Sequence, residues 1–156
     1  MRTGVRLGVD VGTARVGVAR SDPHGVLATP VETLARRVDV VAGIRRLADE
    51  HGAIEIVVGL PVALSGAETA STADARAVAG AIADSVSVPV RLVDERLTTV
   101  SAARGLRQAG RTTKNSRSVV DQAAAVILLQ HALDLERASG NPPGALVEPH
   151  ESRPAE

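Results

Sequence analysis

Three groups of acids fall where a folded chain could gather them: Asp10, the pair Asp94 and Glu95, and Asp121. Asp10 ends a run in which Val5, Leu7 and Val9 take every second place, the period of a β-strand. Asp94 and Glu95 end a second apolar run that begins at Val88. Asp121 heads the stripe Ala124, Ala125, Leu128 and Ala132, which recurs at helical spacing and so belongs on a packed face. Open α/β sheets form their sites outside the carboxyl ends of parallel strands, where two of these groups stand. Three carboxylates there offer hard oxygen ligands that suit Mg²⁺ or Mn²⁺. Two such ions roughly 4 Å apart activate water and stabilise the leaving oxygen in phosphodiester cleavage. Without a cation the same three acids would repel one another, which is a reason to expect one.

Each acid also has a quieter explanation. Asp10 could be the acid of a hairpin turn, since Gly12 and Gly17 follow it. Asp94 and Glu95 point to opposite faces of their strand, so at most one enters a shared site and the other pairs with Arg96 or Arg91. Asp121 stands three residues after Ser118 and could complete a capping box. The basic residues are a second clue. Arg104, Arg107 and Arg111 share one face of a predicted helix, and Lys114 and Arg117 continue into a polar loop that leads to Asp121. Between Arg91 and Arg117 seven basic residues stand against two acids, which suits a grip on a phosphate backbone as well as a solvated helix face.

The elements that must position these groups are legible in order. Strands are expected at residues 5–10, at 15–19 and at 27–33, with Pro30 confining the third to an edge. A helix over 38–48 stops at Gly52, and Ile54–Gly59 reads as a strand in the covered centre of a sheet. An Ala-rich helix to Asp84 has a capping-box-like start at Ser71–Asp74. The strand 88–95, a helix from Thr98 or Thr99 to Gln108 and a long helix from Ser118 to Ser139 complete the order. The expected architecture is α/β, a mixed five-stranded sheet with helices on both faces. One domain over 1–140 is expected, followed by a disordered tail over 141–156, where four prolines and little apolar content occur.

Composition narrows the function classes. The 156 residues carry 18 basic and 18 acidic groups, so any polyanion site is a local patch. Phe, Tyr and Trp are absent, which removes the stacking platforms of single-strand binding modules. Cysteine is absent too, excluding disulfides and thiolate metal sites. No apolar run reaches the length of a membrane span, and the expectation is a cytoplasmic protein without a membrane partner.

Leu7–Gly12, Arg15–Ala19 with Ser21 and Asp22, Val57–Pro61 with Gly66, Asp94–Thr99, and Asp121–Ala125 with Ile127 and Leu128 resemble the bacterial YqgF/RuvX family. The resemblance runs in order from residue 5 to residue 138, and Asp94–Thr99 is its most specific piece. It implies a ribonuclease H-like fold and a metal-dependent nuclease, active either in 5′-end maturation of precursor 16S rRNA or in Holliday junction resolution. Carried over by position, the family's acids fall on Asp10, Glu95 and Asp121, which selects Glu95 from its pair. The chain departs from the family at Ala14, where Lys is frequent, and at Val62–Ser65, where an Asn-containing loop is frequent. Two other classes share parts of the pattern. Asp10-x-Gly12-Thr13 also opens actin-like ATP-binding proteins, which need a second domain that 156 residues do not hold. A non-catalytic RNA-binding factor could keep the same fold. The partner expected is precursor rRNA or branched DNA, bound by a monomer or a homodimer.

Overall fold

The computed structural model describes residues 1–96 and 114–149, with the backbone alone described over 114–120. Strands β1 (Val5–Val11), β2 (Arg15–Ser21) and β3 (Ala28–Ala35) form an antiparallel meander. Helix α1 (Val40–His51), strand β4 (Ala53–Leu60), helix α2 (Ala70–Ser85) and strand β5 (Val90–Asp94) follow, with β1, β4 and β5 parallel. Helix α3 (Lys114–Ser139) and the two-residue β6 (Ala145–Leu146) end the described chain. The sheet order is β3-β2-β1-β4-β5-β6.

Local chemistry explains most boundaries. Pro30 lies in β3, the edge strand, beside a shift of register between Val18 and Ala19, where a missing N–H is tolerated. Asp39 caps α1 by accepting from the Ala42 N–H, and Gly52 ends it at φ 60°. Helix α2 starts earlier than the sequence predicts. Thr69 and Thr72 form its capping box, and the Thr72 hydroxyl also donates to the Pro61 carbonyl, tying the helix start to the end of β4.

The sheet is covered on both faces. Leu7, Val9, Val16, Val18, Ile56 and Val58 meet Ile44, Leu47, Ala79 and Ile82 under α1 and α2. Alternate strand positions, Ala19, Val57 and Val93, pack under Ala124, Ala125, Leu128, Leu129 and Ala132 of α3. With no aromatic ring in the chain, both layers are built from aliphatic side chains small enough to interdigitate.

Two expectations are corrected. The segment after Gly140 does not begin as a disordered tail: Leu92 and Arg91 pair with Ala145 and Leu146, adding a sixth strand at the edge. Gly144 fits against the Leu92 carbonyl, where a Cβ would collide, and this close approach lets so short a strand dock. Residues 150–156 lie outside the described residues. Helix α3 begins at Lys114 rather than Ser118, because Lys114, Asn115 and Arg117 contain no helix breaker. Asp121 is therefore seven residues inside the helix, too deep to cap it. The predicted helix from Thr98 or Thr99 to Gln108 lies outside the described residues.

A buried ion network fills the amino-terminal end of the α3 face. The Arg2 guanidinium grips Glu136 with Nε and Nη2, at 2.9 and 2.7 Å, and reaches Glu55 Oε1 with Nη1 at 2.8 Å. Arg91 Nε donates to the same Glu55 oxygen at 3.2 Å, and Arg6 lies 3.5 Å from Glu136. Arg6, Glu55 and Glu136 are almost fully enclosed. Arg2 holds the Glu136 carboxyl well below its usual 4.5, at about 2, against the opposing effect of burial.

Candidate active site

The carboxyl-terminal end of the same face holds the acids. Val9 and Val11 point into the core under α1 and α2, so Asp10 between them points toward α3. Both of its strand neighbours are glycines. Gly17 is paired directly with it on β2, and the register Val9↔Val58 sets Gly59 beside it on β4.

Each glycine makes room for another acid. A Cβ on Gly17 would collide with the Asp121 backbone carbonyl, so this glycine lets α3 settle onto β2. A Cβ on Gly59 would collide with Glu95 Oε2, so the Glu95 carboxylate lies over β4. Asp10 is thus flanked by Glu95 on one side and by Asp121 on the other. All three are buried, at 0%, 4% and 0% exposure.

Asp94 takes no part in this arrangement. Its side chain is 41% exposed and is held by Arg96 through Nε at 2.8 Å and through the backbone N–H at 2.8 Å. The Arg96 guanidinium keeps the Asp94 carboxyl below its usual range. Of the acid pair, the exposed member is neutralised at the surface and the buried member turns inward.

Asp121 Oδ2 accepts a hydrogen bond from Arg15 Nε at 2.6 Å. As placed, no three His, Cys, Asp or Glu side chains among the described residues are close enough together to hold a metal ion. Three carboxylates thus share one end and one face without forming a closed cage. A second arginine supports the turn. Arg36 donates to the Gly12 carbonyl at 2.9 Å and forms a two-pronged pair with Asp74 of α2, at 2.8 and 3.0 Å. It ties the β1–β2 turn after Asp10 to the opposite layer, and it lowers the Asp74 carboxyl in doing so.

Arg15 enters the sequence reading only as the start of the family stretch Arg15–Ala19, without a site role, and Arg36, an isolated arginine, carries no spacing signal. Arg104, Arg107 and Arg111 are outside the described residues. Lys114 and Arg117 lie on the first turns of α3 rather than in a loop.

Residues 4–135 match the family described as RuvX, Holliday junction resolvase. The chain belongs to the RuvX family. A candidate pre-16S rRNA nuclease of Leifsonia xyli subsp. xyli is 62% identical over 152 residues, covering 96% of this chain and 97% of that protein. Another candidate pre-16S rRNA nuclease, from Streptomyces coelicolor, is 57% identical over 152 residues, covering 95% of this chain and 90% of the relative. Among solved structures, T. thermophilus RuvC in complex with a Holliday junction substrate superposes with a TM-score of 0.55 at 16% identity, covering 87% of this chain and 97% of that one. The likeness to RuvC identifies the fold of this RuvX-family chain as ribonuclease H-like, with one short strand more than the sequence predicts. Among the described residues no helix is long and apolar enough to cross a membrane.

Proposed function

We propose that this protein is a metal-dependent nuclease that hydrolyses phosphodiester bonds in the maturation of the 5′ end of precursor 16S rRNA, in the cytoplasm. The observation that carries the proposal is the burial of Asp10 in β1, Glu95 just after β5 and Asp121 in α3 at one end of one sheet face. Burying three carboxylates at one end of one face is costly unless cations or hydrogen-bond donors compensate. Their oxygens are the hard donors that Mg²⁺ or Mn²⁺ prefers, so the donor set fits such an ion. When bound, the ion would supply Lewis-acid activation of water and of the scissile phosphate.

The protein's own contribution is positional. Asp10 is fixed by its strand, Glu95 lies over Gly59, and Asp121 is carried in by a helix that Gly17 allows to approach. The relatives named for precursor 16S rRNA support that substrate. Arg104, Arg107, Arg111, Lys114 and Arg117 are proposed to hold the phosphate backbone, and activity that falls steeply with salt would support that grip.

A second reading, cleavage of a four-way DNA junction, is favoured by the description of the family. Symmetric cutting of a junction needs two sites, and so a two-fold dimer. The two readings separate when both substrates are offered to the purified protein with Mn²⁺, with Asp10→Asn as control. Cleavage of the RNA alone, lost in the variant, is the expected result. Paired nicks in the junction alone would establish the second reading. Binding without cleavage of either would leave a non-catalytic factor.

A further inference from the structure

The Arg15–Asp121 pair stands at the end of the face that carries the proposed metal site. Asp121 is fully buried, while the Arg15 side chain is 26% exposed. Among the described residues their contact is single-pronged, Nε to Oδ2 at 2.6 Å, not the two-pronged fork that Arg36 makes with Asp74. The Arg15 backbone is fixed: its carbonyl accepts from the Gly12 N–H at 2.9 Å, and it pairs with Ala35 on β3. Its long side chain is the movable part, and it lies on the same face as Gly17 and Ala19, directly beside α3.

A fully buried carboxylate needs a cation or a set of donors. Arg15 supplies a cation from within the chain. A divalent ion shared with Asp10 and Glu95 needs the same carboxylate, and a guanidinium and a metal ion on one carboxylate repel each other at close range in a partly desolvated site. The pair holds one of three acids that share one end of a face and, as placed among the described residues, form no ready-made cage.

We propose that Arg15 is an internal counter-ion that holds Asp121 in the metal-free protein and releases it to an incoming divalent cation. This rests on the reading of Asp10, Glu95 and Asp121 as metal-holding groups. Arg15 is a positioning residue: it acts through Asp121, keeping the carboxylate oriented and neutralised until the ion replaces it. Because the counter-ion is displaced, metal affinity in this protein is set by a competition within the chain, and removing the competitor strengthens binding.

The test is calorimetric titration of the full chain with Mn²⁺, without substrate, for wild type, Arg15→Gln, Arg15→Lys and Asp121→Asn. Arg15→Gln is expected to bind Mn²⁺ on the order of tenfold more tightly than wild type, one factor of ten being about 1.4 kcal/mol. It should melt below wild type without metal and gain more in melting temperature when Mn²⁺ is added. Arg15→Lys, which keeps the charge, is expected to return toward wild-type affinity, separating charge from packing. Equal or weaker binding by Arg15→Gln, with binding abolished in Asp121→Asn, would overturn the counter-ion role and leave the metal site standing. No Mn²⁺ binding by either wild type or Arg15→Gln would overturn the metal-site reading, and the role of Arg15 with it.

Discussion

The two ends of the face under α3 both bury charge, and they do so in opposite ways. At the amino-terminal end, Arg2, Arg6 and Arg91 surround Glu55 and Glu136, with guanidinium and carboxylate groups interleaved at 2.7–3.5 Å. Charge there is matched by residues already in the fold, leaving only Arg6 Nε and Glu55 Oε2 as buried atoms without a hydrogen-bond partner among the described residues. At the carboxyl-terminal end, Asp10, Glu95 and Asp121 are buried at one end of the face, and Arg15 donates to Asp121. Between the two ends lies the same aliphatic layer of Val57, Val93, Ala125, Leu128 and Leu129. The first end is a network of mixed sign that ties β1, β4, β5 and α3 together, and the second gathers three acids where the strands run out.

The largest effects are expected from neutralising one acid at each end. Asp10→Asn should abolish nuclease cleavage, by more than the roughly 10–100-fold that loss of an outer-shell partner costs. A turnover assay beside a thermal melt, with activity read per folded molecule, checks it. Glu55→Gln should act on stability instead. It strips Arg2 and Arg91 of a shared buried partner and should destabilise the fold by about 3–5 kcal/mol in urea titrations, with turnover per folded molecule unchanged.

Acid should attack the amino-terminal network through Glu136. Its carboxyl is held at about 2 in the native state against an ordinary value of 4.5, because Arg2 donates to it. The unfolded chain therefore takes up the proton first. The contribution of this pair is complete above about pH 4.5 and fades as the pH falls toward about 2. Urea midpoints measured across that window should fall less steeply in Arg2→Met than in wild type.

The two glycines sharpen the account of the other end. Gly17→Ala drives a methyl group into the backbone of α3 and should cost about 1–3 kcal/mol of stability. Gly59→Ala meets instead the movable end of Glu95, so its melting temperature should fall less while its activity falls more. The smallest effect is expected from Arg36→Ala, which frees the β1–β2 turn from Asp74. A loss of about 1 kcal/mol, with faster amide exchange at the turn, would match its partly exposed pairing.

The acidic end is legible in the sequence because Asp10 and Glu95 interrupt apolar runs at their ends, and Asp121 heads an apolar helical stripe. The amino-terminal network is not. Arg6 and Glu55 sit at alternate strand positions, which is where a sheet with one solvated face would place polar groups. Only the third layer, α3, shows that both faces are covered. Strand β6 escapes for a different reason: two residues give no periodicity, and the prolines around them signal disorder. The start of α3 is missed because a basic, polar stretch suits a loop and an exposed helical turn equally well.

The acidic end is the one expected to take up a divalent cation, and the arginine-laced end to exclude it. Anomalous diffraction from crystals soaked in Mn²⁺ tests it most directly. The expected map has a peak in contact with Asp10, Glu95 and Asp121, with Arg15 moved off Asp121, and no peak at Glu55 or Glu136. An empty acidic end, or a peak at Glu55 and Glu136 instead, would contradict the account.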